Sequence, residues 1–256
     1  MYAAQITFHK PEGMEIEDAA NVIFSLLGAW LQSGQLYENK APLTIACQRL
    51  IAQVTLPAWD ALDASHANKY VREDMEKLLS AGFSQPEVVI IGEDVEDTGP
   101  CACATRQAFI LFTTFLHIQS PLRCGSCFHP VPLYRIPPTD NSGYYNVLGW
   151  KASYQACDTL QMGCDTLERA ALREMFQVDS SLSKRGRAIC DTVTDSTGVP
   201  TYYYLHRWTV RSRKQELARK CPSCNGEWLL DEPWHTIFDF RCDRCRLVSN
   251  IAFDVR

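Results

Sequence analysis

The chain has 256 residues, 46% of them hydrophobic and 21% charged, with a formal net charge of −5. That length and apolar content suit one large core or two modest ones and exclude a chain that is disordered throughout. The longest apolar stretches, such as VIFSLLGAWL, are too short to span a bilayer, and MYAAQITFHKPEG lacks a basic region followed by an apolar one, so the expected placement is cytoplasmic, with no membrane partner.

In chain order, residues 1–9 read as a strand. Ile16, Ala19, Ala20, Ile23, Phe24, Leu27 and Trp30 then recur at helical spacing, and Gly34 ends that helix. Residues 49–56 alternate, with Leu50, Ala52, Val54 and Leu56 on one face, which predicts a half-buried strand. A second helix is expected from near Ser65 to Gly82, followed by buried strands at VVIIG (88–92) and AFILFTTFL (108–116). The order β-α-β-α-β-β suggests helices laid on one face of a sheet. Residues 120–143 are rich in Pro, Gly and Ser and mark a boundary. Beyond it, residues 144–162, 167–178 and 181–194 show helical patterning, with Thr166 and Ser180 or Ser181 as N-caps and Gly198 and Pro200 as the close. TYYYLHRW (201–208) is a short strand. The expected fold class is α+β: an N-terminal α/β sandwich-like layer (1–118), a Pro-rich boundary with a helical section (119–205), and a basic connector with a C-terminal zinc ribbon (206–256).

The ribbon reading rests on CPSC and CDRC. Cys221, Cys224, Cys242 and Cys245 form two CxxC pairs with seventeen residues between them. A CxxC turn offers two sulfurs to one ion, and two such turns close a tetrahedral Zn²⁺ site. The intervening segment is long enough for a hairpin, with 227–230 going out and 236–240 returning, and 247–255 adding a third strand. Asn225-Gly226 supplies a position where φ > 0 costs little, which such a turn demands. His235 falls in the hairpin loop and reads as a solvated side chain. A ribbon accounts for how a short segment folds, and an all-cysteine site has no open position for catalysis.

SPLRCGSCFHPVPLY (120–134), WKASYQACDTLQMGC (150–164), PTYYYLHR (200–207) and CPSCNGEW with FDFRCDRCRLVSNIAF (221–253) together resemble a family of uncharacterised bacterial proteins described as Zn-ribbon-containing, with nucleic-acid binding suggested for them. The resemblance covers more than half the chain. It implies a zinc site at Cys221, Cys224, Cys242 and Cys245 and supplies no catalytic residues.

Cys124 and Cys127 form another CxxC without an evident mate. Cys101 and Cys103, or Cys157 and Cys164, could complete a second metal site, with His117 or His129 as substitutes, and free thiols are the simpler reading. CGSCF also resembles the signature around a papain-type nucleophile. Pro130 and Pro132 forbid the helix such a nucleophile needs, and no His lies at the expected distance downstream.

Charge is uneven: residues 1–100 carry a net −9, residues 101–205 +1 and residues 206–256 +3. Arg207, Arg211, Arg213, Lys214, Arg219 and Lys220 face only Glu216 within residues 206–220. With Trp208 and Tyr202–Tyr204 interleaved, this stretch can offer stacking faces and phosphate contacts to a single strand, although tyrosines alternating in a strand are more often core on one face and rim on the other. Asp158, Asp165, Glu168 and Glu174 fit surface ion pairs better than an acid/base couple, and no phosphate loop or catalytic triad appears. The expectation is a non-enzymatic zinc-ribbon protein that binds nucleic acid through the connector and ribbon. The alternative is a protein-interaction role, such as an inhibitor or immunity-type protein, carried by the acidic N-terminal domain, where EDVEDTG clusters Glu93, Asp94, Glu96 and Asp97.

Overall fold

A computed structural model describes residues 1–37 and 42–256. Near the N-terminus the elements are β1 (Tyr2–His9), α1 (Ile16–Gln32), β2 (Leu43–Ala46), β3 (Arg49–Leu56), α2 (Lys69–Ser80) and β4 (Glu87–Glu93). Their sheet runs β2-β3-β1-β4 with every pairing antiparallel. This is the β-α-β-β-α-β split arrangement, in which each helix returns the chain to a strand on the far side of its neighbour. The alternation read at 49–56 places Leu50, Ala52, Val54 and Leu56 against Ile6 and Phe8 of β1 and against Ile23, Leu26 and Leu78 of the helices. Asn68 caps α2 by accepting from the Val71 N–H at 3.0 Å, and Gly34 closes α1 at φ +72°, where a Cβ would lie 2.7 Å from Leu133 Cβ.

The four-residue strand β2 was not foreseen, since it is too short to show a period. VVIIG was expected to be buried, but it lies in β4, an edge strand whose Val88, Val89, Ile90 and Ile91 are 39–62% exposed.

The remaining elements are β5 (Phe109–Leu111), β6 (Leu122–Cys124), α3 (Tyr145–Met162), α4 (Glu168–Phe176), α5 (Ser181–Thr197), β7 (Thr201–Leu205), α6 (Arg213–Leu217), β8 (Leu229–Trp234), β9 (Phe238–Cys242) and β10 (Leu247–Ser249). Their sheet runs β6-β5-β7-β10-β9-β8. β5 therefore belongs here: it pairs in parallel with β7 (Phe109↔Thr201) and antiparallel with β6. A continuous apolar run carries no period that would name its partner, which is why AFILFTTFL could be read into the first sheet. The ribbon strands continue the same sheet, because β10 pairs in parallel with β7 (Leu247↔Tyr203). Tyr202, Tyr203 and Tyr204 are consequently all buried core rather than a stacking surface. α5 crosses β7 so closely that a Cβ on Gly186 would sit 2.1 Å from Tyr203 Cε2. Ser180 caps α5 as expected, accepting from the Ser183 N–H at 3.1 Å, and Glu174 accepts from the Leu182 N–H. At α4 the capping position is Leu167, at φ +60°, rather than Thr166.

The chain divides into two compact units, Met1–Ala102 with Ile118–Ser120 and His129–Tyr145, and Cys103–His117 with Pro121–Phe128 and Asn146–Arg256. Among the described residues no helix is long and apolar enough to cross a membrane.

Candidate metal centres

The loop before β8 brings Cys221 and Cys224 beside Cys242, the last residue of β9, and Cys245, in the turn that leads to β10. All four sulfurs lie within 4.8 Å of one another, and Cys224 Sγ is 3.7 Å from Cys242 Sγ. Sulfurs at the corners of a tetrahedron around Zn²⁺ stand about 3.8 Å apart, given a Zn–S bond of about 2.3 Å. The turn takes the form the sequence implies: the Asn225 N–H donates to the Cys221 carbonyl at 2.8 Å, and Asn225 adopts φ +58°. The thiols differ in acidity. The Gly226 N–H draws Cys224 down to about 7, whereas burial pushes Cys242 up to about 12 and raises Cys221. Crowded thiols cannot all ionise unaided, and a dication supplies the charge that lets them.

A second set has the same make-up. Cys101, Cys103, Cys124 and Cys127 also hold their sulfurs within 4.8 Å, with the same alternation of buried and half-buried residues. Cys124 and Cys127 repeat the turn of the ribbon: the Phe128 N–H donates to the Cys124 carbonyl at 2.8 Å, Phe128 takes φ +63°, and the Ser126 N–H points at Cys124 Sγ at 3.4 Å. The mates are Cys101 and Cys103, one of the two pairs the spacing allowed. Cys157 and Cys164 join neither set. His235 is not a solvated loop residue. It lies 2.8 Å from the Gly125 carbonyl through Nε2 and stacks on Phe128 and Trp234.

The connector's cations divide into two groups. Arg207 and Arg219 approach Glu216, whose side chain is fully buried, at 3.4 and 3.3 Å. Arg219 also lies over Trp228 and Phe240, and burial lowers its pKa to about 10 while Glu216 opposes the shift. Lys220 pairs with Glu227, and Arg213 donates to the Val255 carbonyl at 2.6 Å. Arg211 and Lys214 are exposed and make no ion pair among the described residues. Trp208 is half-buried between His206 and Phe253. Glu216 was counted only as one opposing charge. Its spacing of three residues from Arg219 in and beyond α6 was the available signal. Asp158, expected on the surface, is 5% exposed and accepts from the Phe115 N–H and the Gln161 amide. Asp97 leaves the acidic patch, since its side chain is buried against the N-terminal ammonium and Gln119.

Three families match the chain, each described as a domain of unknown function: DUF8589 at residues 1–92, DUF2310 at residues 103–206 and DUF8594 at residues 210–255. An uncharacterised protein of Haemophilus influenzae is 32% identical over 243 residues, which is 93% of both chains. Another from the same organism is 36% identical over 165 residues, 64% of this chain and 81% of that one. With that identity over nearly its full length, the chain belongs to the same family as the first of these two proteins. Zinc and nucleic acid are named in none of these descriptions.

Proposed function

We propose that this family member is a non-enzymatic, cytoplasmic zinc protein that captures a partner protein by adding one of the partner's strands to β4. Zn²⁺ at both four-cysteine sets would fasten the loops of the second sheet, and twelve cysteines with no disulfide among them suit a reducing compartment. The observation that carries the reading is the edge strand itself. Val88, Val89, Ile90 and Ile91 expose both faces of a strand whose open side has no pairing partner among the described residues. Such an edge is an aggregation hazard unless something covers it, and an incoming strand gains main-chain hydrogen bonds as well as apolar contact. Glu87, Glu93, Asp94 and Glu96 are exposed at its ends, so the fitting occupant is an aliphatic strand with basic flanks. A second copy fits worse, because an antiparallel β4–β4 pair centred on Ile90 would oppose Glu87 to Glu93.

Selection of nine-residue peptides from a random library tests this reading. The expected winners alternate Val or Ile with polar residues and end in Lys or Arg, and Val89→Lys with Ile91→Lys abolishes their capture. Recovery of the same peptides by that double variant would refute the strand-addition reading. A dimer that the variant dissociates would transfer the edge to self-association.

The nucleic-acid reading keeps Arg211 and Lys214, with Arg213 beside them, as exposed cations before the ribbon. It rests on fewer uncommitted charges than the six in the sequence, since Arg207 and Arg219 meet Glu216 and Lys220 meets Glu227.

A further inference from the structure

In the second unit a pocket of about 270 Å³ opens between the turn that joins α4 to α5, the end of β7, the residues just before the first ribbon cysteine and β10. Its lining carries three cations, Arg207, Arg219 and Lys220, and one carboxylate, Asp179, beside the apolar side chains of Phe176 and Pro222. Arg207 and Lys220 are within reach of a ligand, since their side chains are 25% and 43% exposed.

The contacts of these cations show which atoms are already spent. Glu216, fully buried, approaches both Arg207 and Arg219 and neutralises only one of the two. Arg219 turns Nη2 to Ser249 Oγ and the Asn250 carbonyl, both at 3.2 Å, so its fork is taken up by the fold. Arg207 gives Glu216 its Nε alone, at 3.4 Å, and lies over the ring of Phe176 at 5.7 Å. Its two Nη atoms meet no acceptor among the described residues, and neither is shut off from solvent. Neither guanidinium hydrogen-bonds a sulfur of the ribbon set, and Asp179 makes no ion pair among the described residues. Around Glu216 one positive charge is therefore left without a counter-charge at ion-pair distance. Lys220 pairs with Glu227, whose side chain is 79% exposed, and a pair so open to water contributes about 1 kcal/mol or less, so Lys220 can turn to a ligand.

We propose that this pocket binds a phosphate monoester, held by the Nη fork of Arg207 and by Lys220, and presented either by a small phosphorylated molecule or by the phosphorylated end of a single strand. A guanidinium fork matches two phosphate oxygens, and a terminal phosphate carries about −1.5 to −2 at pH 7, enough to meet both the unbalanced arginine charge and Lys220. A carboxylate fits the fork but brings a single charge, which leaves one of the two cations unmatched. The pocket has room beyond the anion, and Phe176 and Pro222 offer apolar surface to the organic group that the phosphate esterifies. This inference is independent of the β4 edge and of a strand lying along Arg211 and Lys214.

Titration calorimetry on the zinc-loaded full chain tests it with thymidine 5′-monophosphate, with a short deoxythymidine strand that carries or lacks a 5′-phosphate, and with acetate. A phosphorylated probe should bind more tightly than about 1 mM. Arg207→Lys keeps a charge beside Glu216 and removes the fork, so it should weaken binding about tenfold or more. Asp179→Asn removes the opposing carboxylate from an exposed position, where folding does not depend on it, and should tighten binding about threefold. Binding of the monophosphate assigns a small ester as sufficient. Binding of the phosphorylated strand alone, lost without its phosphate, assigns a strand end. Absence of binding by every phosphorylated probe, acetate bound as tightly as phosphate, or an affinity unchanged in both Arg207→Lys and Asp179→Asn overturns the proposal.

Discussion

Cys221 and Cys224 can serve one ion because two residues separate them, whereas Arg219, two residues before Cys221, takes its role from Glu216, Trp228 and Phe240. The cysteines are organised by a turn that their own neighbours build, so their spacing announces them. The cations of residues 206–220 are organised by whichever side chains the fold delivers, and their number alone overstates what they offer to a ligand. Local chemistry can be read from a string, but the commitment of a charge can be read only from its surroundings.

The largest effect expected from testing that contrast is loss of metal. The purified protein should contain two zinc ions per chain, and Cys242→Ser and Cys124→Ser should each retain one, by elemental analysis. Structural zinc contributes about 10 kcal/mol or more of apparent folding free energy in small zinc domains. Because β9 and β10 continue into β7 and β5, Cys242→Ser should expose the whole second unit to limited proteolysis while Met1–Ala102 stays protected. If the unaltered chain holds one ion and Cys124→Ser holds it too, the upstream set is a thiol cluster, and similar turn geometry does not suffice for a metal site.

The next effect separates committed from uncommitted charge. Glu216→Gln leaves Arg207 and Arg219 facing a neutral group at a fully buried position, and denaturant unfolding should show a loss of about 4 kcal/mol. Glu227→Gln, which removes the exposed partner of Lys220, should cost about 0.5 kcal/mol or less. Equal losses would erase the distinction.

What was legible follows the same division. Leu50, Ala52, Val54 and Leu56 are adjacent in the alternation of one strand, and the structure buries them as expected. Ser180 and Gly198 bracket α5 as caps usually do. The partner of β5 lay some ninety residues away in β7 and was invisible to periodicity. The edge position of β4 was equally hidden, since an aliphatic run reads the same in the middle of a sheet as at its margin. For the cysteines, CxxC was evident at both sets, but the choice between Cys101 with Cys103 and Cys157 with Cys164 required the fold. Arg207 and Asp179 gave no local sign of the pocket they line, because it forms where the turn after α4 meets the end of β7 and the residues before the ribbon.

A smaller effect tests burial by acidity. Burial lowers the His206 pKa to about 4, against an ordinary value of 6.5. Between those values the unfolded chain holds the extra proton, so the contribution is complete above pH 6.5 and is lost as pH falls toward 4. It amounts to about 3 kcal/mol, at about 1.4 kcal/mol per unit. His117 is depressed to about 4 as well, by burial and by Arg123 and Lys151, so imidazole NMR must resolve the two rings. His206 should titrate near 4. A midpoint near 6.5 would mean that water reaches the ring.

The smallest effect on stability is expected at Arg211 and Lys214, and it bears most directly on the second reading of function. Neither residue has an ion-pair partner among the described residues, so replacing both with Ala should change unfolding free energy by about 0.5 kcal/mol or less. If a strand of nucleic acid lies along this surface, the same double variant should reduce the slope of log affinity against log salt by about one to two, one released counterion for each lost phosphate contact. Arg213→Ala is a poorer probe, since it also removes the hydrogen bond to Val255 and mixes a structural loss with an electrostatic one. Trp208→Ala should weaken binding without altering the slope, because stacking releases no counterions. Filter binding of short RNA and DNA at two salt concentrations separates these outcomes. An unchanged slope in the Arg211 and Lys214 variant would show that even exposed cations of this stretch do not face a phosphate backbone, leaving the β4 edge and the Arg207 pocket as the surfaces with a chemical claim on a ligand.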